Sequence, residues 1–395
     1  MMLKNKVIPL VVCVSFDRRN LSMSQNKKQH FVPKLILRNF CSASETSINL
    51  FNLKLCKNIL DASITNQCYK PFFYGKDLIV ENVMGEVEAR FNGILKTIIE
   101  EKSLFPPLYL FNYQFFCFFI YLQKIRTEES ENYIDEVKKE LMNNVLEKYG
   151  EKIGKNLSNI EFDFKNSIYN SLRTINNYKL ILDLKPVLIV NNTRREFIIG
   201  EQPVVEYNLL LKKFKSGTNS MGCSLFFPIT PRLLILMYDE NVYNINNIKN
   251  SVVEINQENE IKKINGLQWV STKNNIFYSS YHMKSIIASE FDFFKKFRNE
   301  KRVKLEEYGA ENEKLIHISE NIHFKNFNFS FFSLNKRGKK FQNKKQMDIK
   351  KGVPRKSFYS RNEELMQSVQ FEDLININPI FVLKDPKKFI DDNIL

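Results

Sequence analysis

Residues 186–207, PVLIVNNTRREFIIGEQPVVEY, and 224–238, SLFFPITPRLLILMY, decide the fold. Short runs of apolar, β-branched and aromatic residues are punctuated there by turn formers. Val187–Val190 and Glu196–Ile199 flank Asn191-Asn192-Thr193, a spacing that predicts a hairpin. Val204–Tyr207, Ser224–Phe227 and Leu233–Tyr238 continue the pattern, so about 186–238 is expected to be a largely antiparallel sheet.

Upstream, the apolar period changes to that of helices. Val80, Val83, Met84, Val87, Phe91, Ile94, Leu95 and Ile98 recur at three- and four-residue spacing, and Pro106-Pro107 closes that unit. A Phe-rich helix follows to about Arg126. Its core, residues 108–122, is 15 residues long and interrupted by Asn112 and Gln114. A bilayer-spanning helix needs about 20 apolar residues, so this is read as a buried core helix. A third helix is expected over 132–148, broken by Gly150 and Gly154, and a fourth over about 163–184, stopped by Pro186. Before them, Ser47–Leu53 and Leu55–Ile59 read as a hairpin. After the sheet, a helix at 258–272, a strand at 276–279 and a helical segment at 283–297 follow. Helices and strands are segregated rather than alternating. The expected fold class is therefore α+β, a helical layer of about four helices packed on a largely antiparallel sheet.

The organisation expected is an upstream extension or alternative start (1–23), one α+β domain (24–300) and a basic, partly flexible C-terminal extension (301–395). The net charge of +15 is concentrated outside that domain. Residues 335–361 hold eleven positive charges against one negative, residues 1–22 contribute +3, and the rest of the chain sums to +2. Gly338, Gly352 and Pro354 are expected to interrupt any helix in the basic stretch, and a final apolar piece, 375–383, is expected to dock back on the body. The apolar run 7–16 lacks a clean cleavage site and reads as an extension rather than a secretion signal, with Met23 a second start. Six cysteines with no Cys-x-x-Cys spacing exclude a zinc ribbon and fit packed thiols in a reducing, cytoplasmic setting.

The familiar catalytic loops are missing: no Walker A loop, Gly-x-Gly-x-x-Gly, Gly-x-Ser-x-Gly or His-Glu-x-x-His occurs. Of four histidines, His30 stands out, because Pro33 stiffens the segment Gln29-His30-Phe31-Val32-Pro33. An imidazole there suits general-base work or metal ligation; the competing reading is a partly buried histidine bonded to the backbone.

Gln29–Pro33 with Leu37-Arg38-Asn39-Phe40 resembles the opening of the bacterial "domain of unknown function 4238" family. The resemblance continues in order through Tyr69–Lys76, Val83–Ile98, FFIYLQKIRT (118–127), FIIGEQPV (197–204), FPITPRLLIL (227–236) and 265–279, about residues 25–300 in all. Gln29 stands where the family has the first of two histidines, and Glu201 where it has aspartate. The resemblance implies positions rather than an activity. From it we expect His30, Glu201 and Arg126 to converge where the first segment crosses the sheet. His30 would be a base or metal ligand, Glu201 would orient it or bind a cation, and Arg126 would pair with a phosphate or carboxylate. The opposing reading has Arg126 capping its helix on backbone carbonyls and Gly200–Pro203 as a plain turn. The cofactor is left open, with a divalent metal among the options.

Lys336, Arg337, Lys339, Lys340, Lys344, Lys345, Arg355 and Lys356, interleaved with Phe341, Phe358 and Tyr359, are the nucleic-acid-binding candidates. No membrane span is expected. Two functions stay open: a hydrolase acting on nucleic acid or another phosphate ester through a His/acid site, or a non-catalytic nucleic-acid-binding or protein-interaction module. A host-defence role follows from association with bacterial families alone.

Overall fold

The computed structural model describes residues 27–42, 44–76, 78–105, 108, 111–159, 175–210, 218–298, 303–308, 315–320, 327–343 and 355. The segments 1–23 and 375–383 lie outside them. The fold is α+β, with seven α-helices and several mostly antiparallel sheets among the described residues.

Strand β1 (Lys28–His30) leads into helix α1 (Lys34–Arg38), then a hairpin of β2 (Ser47–Asn52) and β3 (Lys57–Ser63), and β4 (Tyr69–Pro71). Helices α2 (Ile79–Glu101), α3 (Phe111–Ile125) and α4 (Glu128–Asn159) follow. The chain then enters β5 (Lys185–Asn191), β6 (Ile199–Gly200), β7 (Val205–Tyr207), β8 (Ser224–Pro228), β9 (Leu233–Tyr238), β10 (Tyr243–Ile245) and β11 (Val252–Ile255). Helix α5 (Glu258–Ser271), β12 (Asn275–Tyr278), helix α6 (Met283–Phe294), β13 (Val303–Tyr308), β14 (Leu315–Glu320), β15 (Phe332–Leu334) and helix α7 (Lys336–Asn343) complete it.

The central sheet has the order β11-β5-β9-β8-β7, antiparallel except for the parallel β11/β5 pair. Its side chains divide between two apolar cores with the period of two that a strand dictates. Leu188, Leu225, Phe227, Leu233, Ile235 and Met237 enter the core built with α2 and α3. Val187, Ile189, Phe226, Leu234, Leu236 and Tyr238 enter the core built with α5 and α6. Both faces are covered, and this is why the strands read as continuous apolar runs rather than alternating ones. Phe327, Phe329, Phe331, Phe332 and Leu334, from the stretch expected to be an extension, belong to the second core. The second sheet, β3-β2-β12-β6, is wholly antiparallel. The Phe-rich helix is α3, buried along Phe115–Leu122, and no helix among the described residues is long and apolar enough to cross a membrane.

Four expectations are corrected. The run around Asn191-Asn192-Thr193 does not close a hairpin. β5 pairs with β9 and β11, whereas β6 joins β12 in the other sheet. Asn191 redirects the chain: its amide donates to the Arg195 and Pro231 carbonyls, and its oxygen accepts the Thr193 N–H. Gly150 and Gly154 do not break α4, which runs on to Asn159; glycine lowers helix stability by about 1 kcal/mol without forbidding it. The last part of the expected fourth helix is a 3-10 turn, Ile175–Ile181, residues 160–174 lying outside the described residues. Pro186 sits inside β5, at a position preceding the first pairing with β11 at Leu188, where its missing N–H leaves no ladder bond unmade.

The fourth correction concerns the basic stretch. Gly338 does not interrupt a helix; it lies within α7 and lets that helix dock. A Cβ at Gly338 would stand 2.6 Å from the Val242 carbonyl oxygen, so only glycine permits the approach. Asn335 caps the helix by accepting the Gly338 N–H at 2.9 Å. Its own N–H and amide donate to the Val242 and Asn241 carbonyls.

Candidate functional site

The first motif builds a polar network rather than an open site. β1 pairs antiparallel with β4, His30 opposite Tyr69. Gln29 is fully buried; its oxygen accepts the Tyr74 N–H and its amide donates to the Gly75 carbonyl at 2.8 Å. The residue replacing the first histidine therefore ties two backbone segments together. Gln123 of α3 donates to the Phe31 carbonyl at 3.0 Å and accepts from Arg126 Nε at 2.9 Å. Arg126, also fully buried, ion-pairs with Glu88 of α2 at 2.8 Å. Its guanidinium lies over the Phe119 ring and contacts the Met84 sulfur. Arg126 thus meets a carboxylate of its own chain, and its partners are side chains rather than the backbone carbonyls of the opposing reading. Burial, with the nearby Glu88 carboxylate, pushes the Glu81 carboxyl up to about 7, and Arg126 opposes that rise.

His30 is 9% exposed, its ring tilted against Tyr69. Burial first, then the Lys34 charge, lowers its pKa to about 4, so the ring is neutral at pH 7. Among the described residues its Nε2 has no hydrogen-bond partner.

Glu201 stands in a different setting. Asn265 and Gln268, one turn apart on α5, hold the strand that leads to it. Asn265 donates to the Glu196 carbonyl and accepts the Ile198 N–H; Gln268 accepts the Gly200 N–H and donates to the Pro203 carbonyl. The Glu201 carboxyl accepts the Asn274 N–H at 3.1 Å, the Asn274 amide at 3.0 Å and the Asn275 amide at 3.1 Å. It lines a small cleft with Glu128, Glu129 and Asn132 at the start of α4, Gln202, and residues 271–274 at the end of α5. Burial, reinforced by Glu128, pushes its carboxyl up to about 7 against the pull of the asparagine donors. Thr272, fully buried in the same wall, has a hydroxyl without a hydrogen-bond partner among the described residues. That hydroxyl fills the space of a side chain at Gly200, standing 1.7 Å from where a Cβ would be.

No hydrogen bond or ion pair joins any two of His30, Arg126 and Glu201. β1 pairs with β4 rather than crossing the central sheet. The surroundings of His30 and Glu201 are linked through β4 and the residue before it. Lys70 pairs with Gln29 across the strands and ion-pairs with Glu128 at 3.3 Å, and the thiol of Cys68 is pushed up by burial and by both Glu201 and Glu128. Sequence reasoning missed Glu128, Thr272 and the asparagines at 274 and 275. The one available signal was the acidic pair Glu128-Glu129 directly after Arg126-Thr127. Among the described residues no group of three or more His, Cys, Asp or Glu side chains is arranged to hold a metal ion.

Of the nucleic-acid candidates, Lys336, Arg337, Lys339 and Lys340 are exposed on α7, and none has an ion-pair partner among the described residues. Lys344, Lys345 and Lys356 lie outside the described residues. Arg355 is corrected: it is fully buried, paired with Asp183 at 2.9 Å, and offers no charge to a phosphate.

The architecture defines an α+β protein with a carboxyl group held in a narrow cleft and a basic helix docked on its surface. The chain belongs to the family described as Protein of unknown function (DUF4238), whose model matches residues 28–282. Searches of curated proteins and of solved structures return no match.

Proposed function

We propose that the protein is a nucleic-acid-binding module that contacts phosphates through α7. One observation carries this reading: Lys336, Arg337, Lys339 and Lys340 are displayed together on a short helix that Asn335 and Gly338 fix to the body. A cation on a docked helix loses less freedom on meeting a phosphate than one on a disordered tail. The buried motif residues Gln29, Gln123 and Arg126 serve as internal ties in this reading.

The test neutralises the helix and keeps Arg355. Lys336→Gln, Arg337→Gln, Lys339→Gln and Lys340→Gln are combined, and binding to single-stranded and duplex oligonucleotides is measured across salt. Each phosphate contact contributes about 0.7–0.9 to the slope of log affinity against log salt, so loss of about three in slope is expected. Unchanged affinity and slope refute the reading. Deleting the whole stretch would not serve, because it removes a buried ion pair as well.

A second reading, a hydrolase acting on a phosphate ester, is favoured by Glu201. A carboxyl held by three N–H donors in a cleft, near pKa 7, has the proton affinity of a general acid or base at neutral pH. His30, whose pKa is lowered by burial to about 4, is a weak base at that pH, so Glu201 alone carries the proton transfer in this reading. Hydrolysis of a phosphodiester that falls at least a hundredfold in Glu201→Gln, with the fold intact, is expected on this reading; equal rates in the two proteins overturn it.

A further inference from the structure

Each hydrogen-bond partner of Arg355 among the described residues lies more than a hundred positions away in the chain. Its Nε donates to Asp183 Oδ2 at 2.9 Å and its Nη2 to Asp183 Oδ1 at 3.0 Å, a two-pronged bond to one carboxylate. Nη2 also donates to the Leu180 carbonyl. Nη1 donates to the carbonyls of Thr218, at 2.6 Å, and Ser220, at 3.1 Å. A guanidinium has five N–H groups, and all five are taken. The Arg355 backbone N–H donates to the Asn219 carbonyl at 3.0 Å, so the main chain of the arginine is held too.

The socket around the guanidinium is built from acceptors only: a carboxylate and three carbonyls. Its walls, the end of the Ile175–Ile181 turn with Asp183 and residues 218–220, lie within residues 28–282, whereas the plug comes from outside that region. A lysine has three N–H groups on one atom and cannot span acceptors laid out for a planar fork. Asp183 is 5% exposed, so without Arg355 its carboxylate loses a two-pronged charged partner while staying buried.

We infer that this socket is a guanidinium-recognition site: it is filled by the chain's own Arg355, and in the absence of Arg355 it accepts an arginine-containing peptide or a small guanidinium ion from outside. The site is independent of the reading of α7 and of Glu201. Its consequence for the chain is that residue 355, beyond the docked helix α7, is tied to the body by a side chain chosen for its shape as well as its charge.

The experiment uses full-length Arg355→Ala and follows thermal unfolding with added methylguanidinium, with a peptide spanning residues 351–359, and with methylammonium as the control. The expected result is a lowered Tm that rises by several degrees, saturably, with methylguanidinium or the peptide, does not rise with methylammonium, and does not move in the wild-type protein. Where Arg355→Ala does not fold alone, the yield of soluble protein on refolding with and without methylguanidinium gives the same answer. The Asp183→Asn/Arg355→Ala pair removes the buried charge; it is expected to fold without ligand and to show no response. An equal response in wild type or in the pair, no response in Arg355→Ala, or an Arg355→Lys protein as stable as wild type overturns the inference.

Discussion

Glu201→Gln should change how stability depends on pH more than it changes stability at any one pH. The carboxyl of Glu201 moves from an ordinary value of 4.5 in the unfolded chain to about 7 in the fold, chiefly through burial. Between those values the folded protein holds a proton that the unfolded chain has lost. Stability contributed by the neutral carboxyl is therefore fully present below pH 4.5 and is lost as pH rises through 7. Each pH interval of one in that window is worth about 1.4 kcal/mol, so the loss is about 3 kcal/mol in all. Glutamine cannot ionise and keeps one oxygen acceptor, but its amide nitrogen cannot accept the N–H groups aimed at the other oxygen. That change costs about 1–2 kcal/mol at every pH. The variant is therefore expected to be less stable than wild type at pH 4.5 and equal or more stable at pH 8. Urea unfolding midpoints, converted with a common slope, would be measured at steps across that range. Glu81 also titrates near 7, but it is present in both proteins and cancels in the difference. A difference between the two proteins that stays constant to about 0.5 kcal/mol across the range would refute the argument, because it would mean that Glu201 titrates in the fold as it does in the unfolded chain.

Three further outcomes follow from the packing. Arg126→Met is expected to destabilise by about 2–4 kcal/mol, because Glu88 and Gln123 lose a buried charged partner; chemical unfolding measures it, and Glu88→Gln combined with it should recover part of the loss. Gly200→Ala forces a Cβ onto the Thr272 hydroxyl and should cost about 1–3 kcal/mol, while Gly200→Ala with Thr272→Ala should be clearly more stable than the single change. Gly338→Ala leaves every charge of α7 in place but pushes the helix off the Val242 carbonyl. Weaker oligonucleotide binding with a reduced salt slope is the expected result, and binding equal to wild type would show that docking of the helix is irrelevant.

Much of the site's framework was readable in the chain. His30, Arg126 and Glu201 were singled out by motif, and the Asn265-x-x-Gln268 pair lies one helical turn apart, as the spacing requires. What the motif could not say is which partner each residue meets. Arg126 was expected to reach a phosphate or carboxylate of a ligand, and it reaches Glu88 instead, because α2 and α3 pack side by side and bring an acid 38 positions earlier against it. Glu128 carried no motif of its own, and its role arises only because the start of α4 faces the loop after β6.

By itself the amino-acid order determined the fold class and most of the elements. The short apolar, β-branched runs of 186–238 and the period of three to four in 79–125 are local properties of the chain, legible without its tertiary contacts. The tertiary structure alone decided where the charges went. Composition marks residues 335–361 as one solvated basic stretch, because counting charge has no means of separating an arginine in water from an arginine in a socket. Four of those cations stand exposed on a docked helix, and Arg355 is enclosed by Asp183 and a ring of carbonyls. That pairing closes across 172 positions of chain. It depends on the meeting of three segments, and no short-range pattern in any one of them records it.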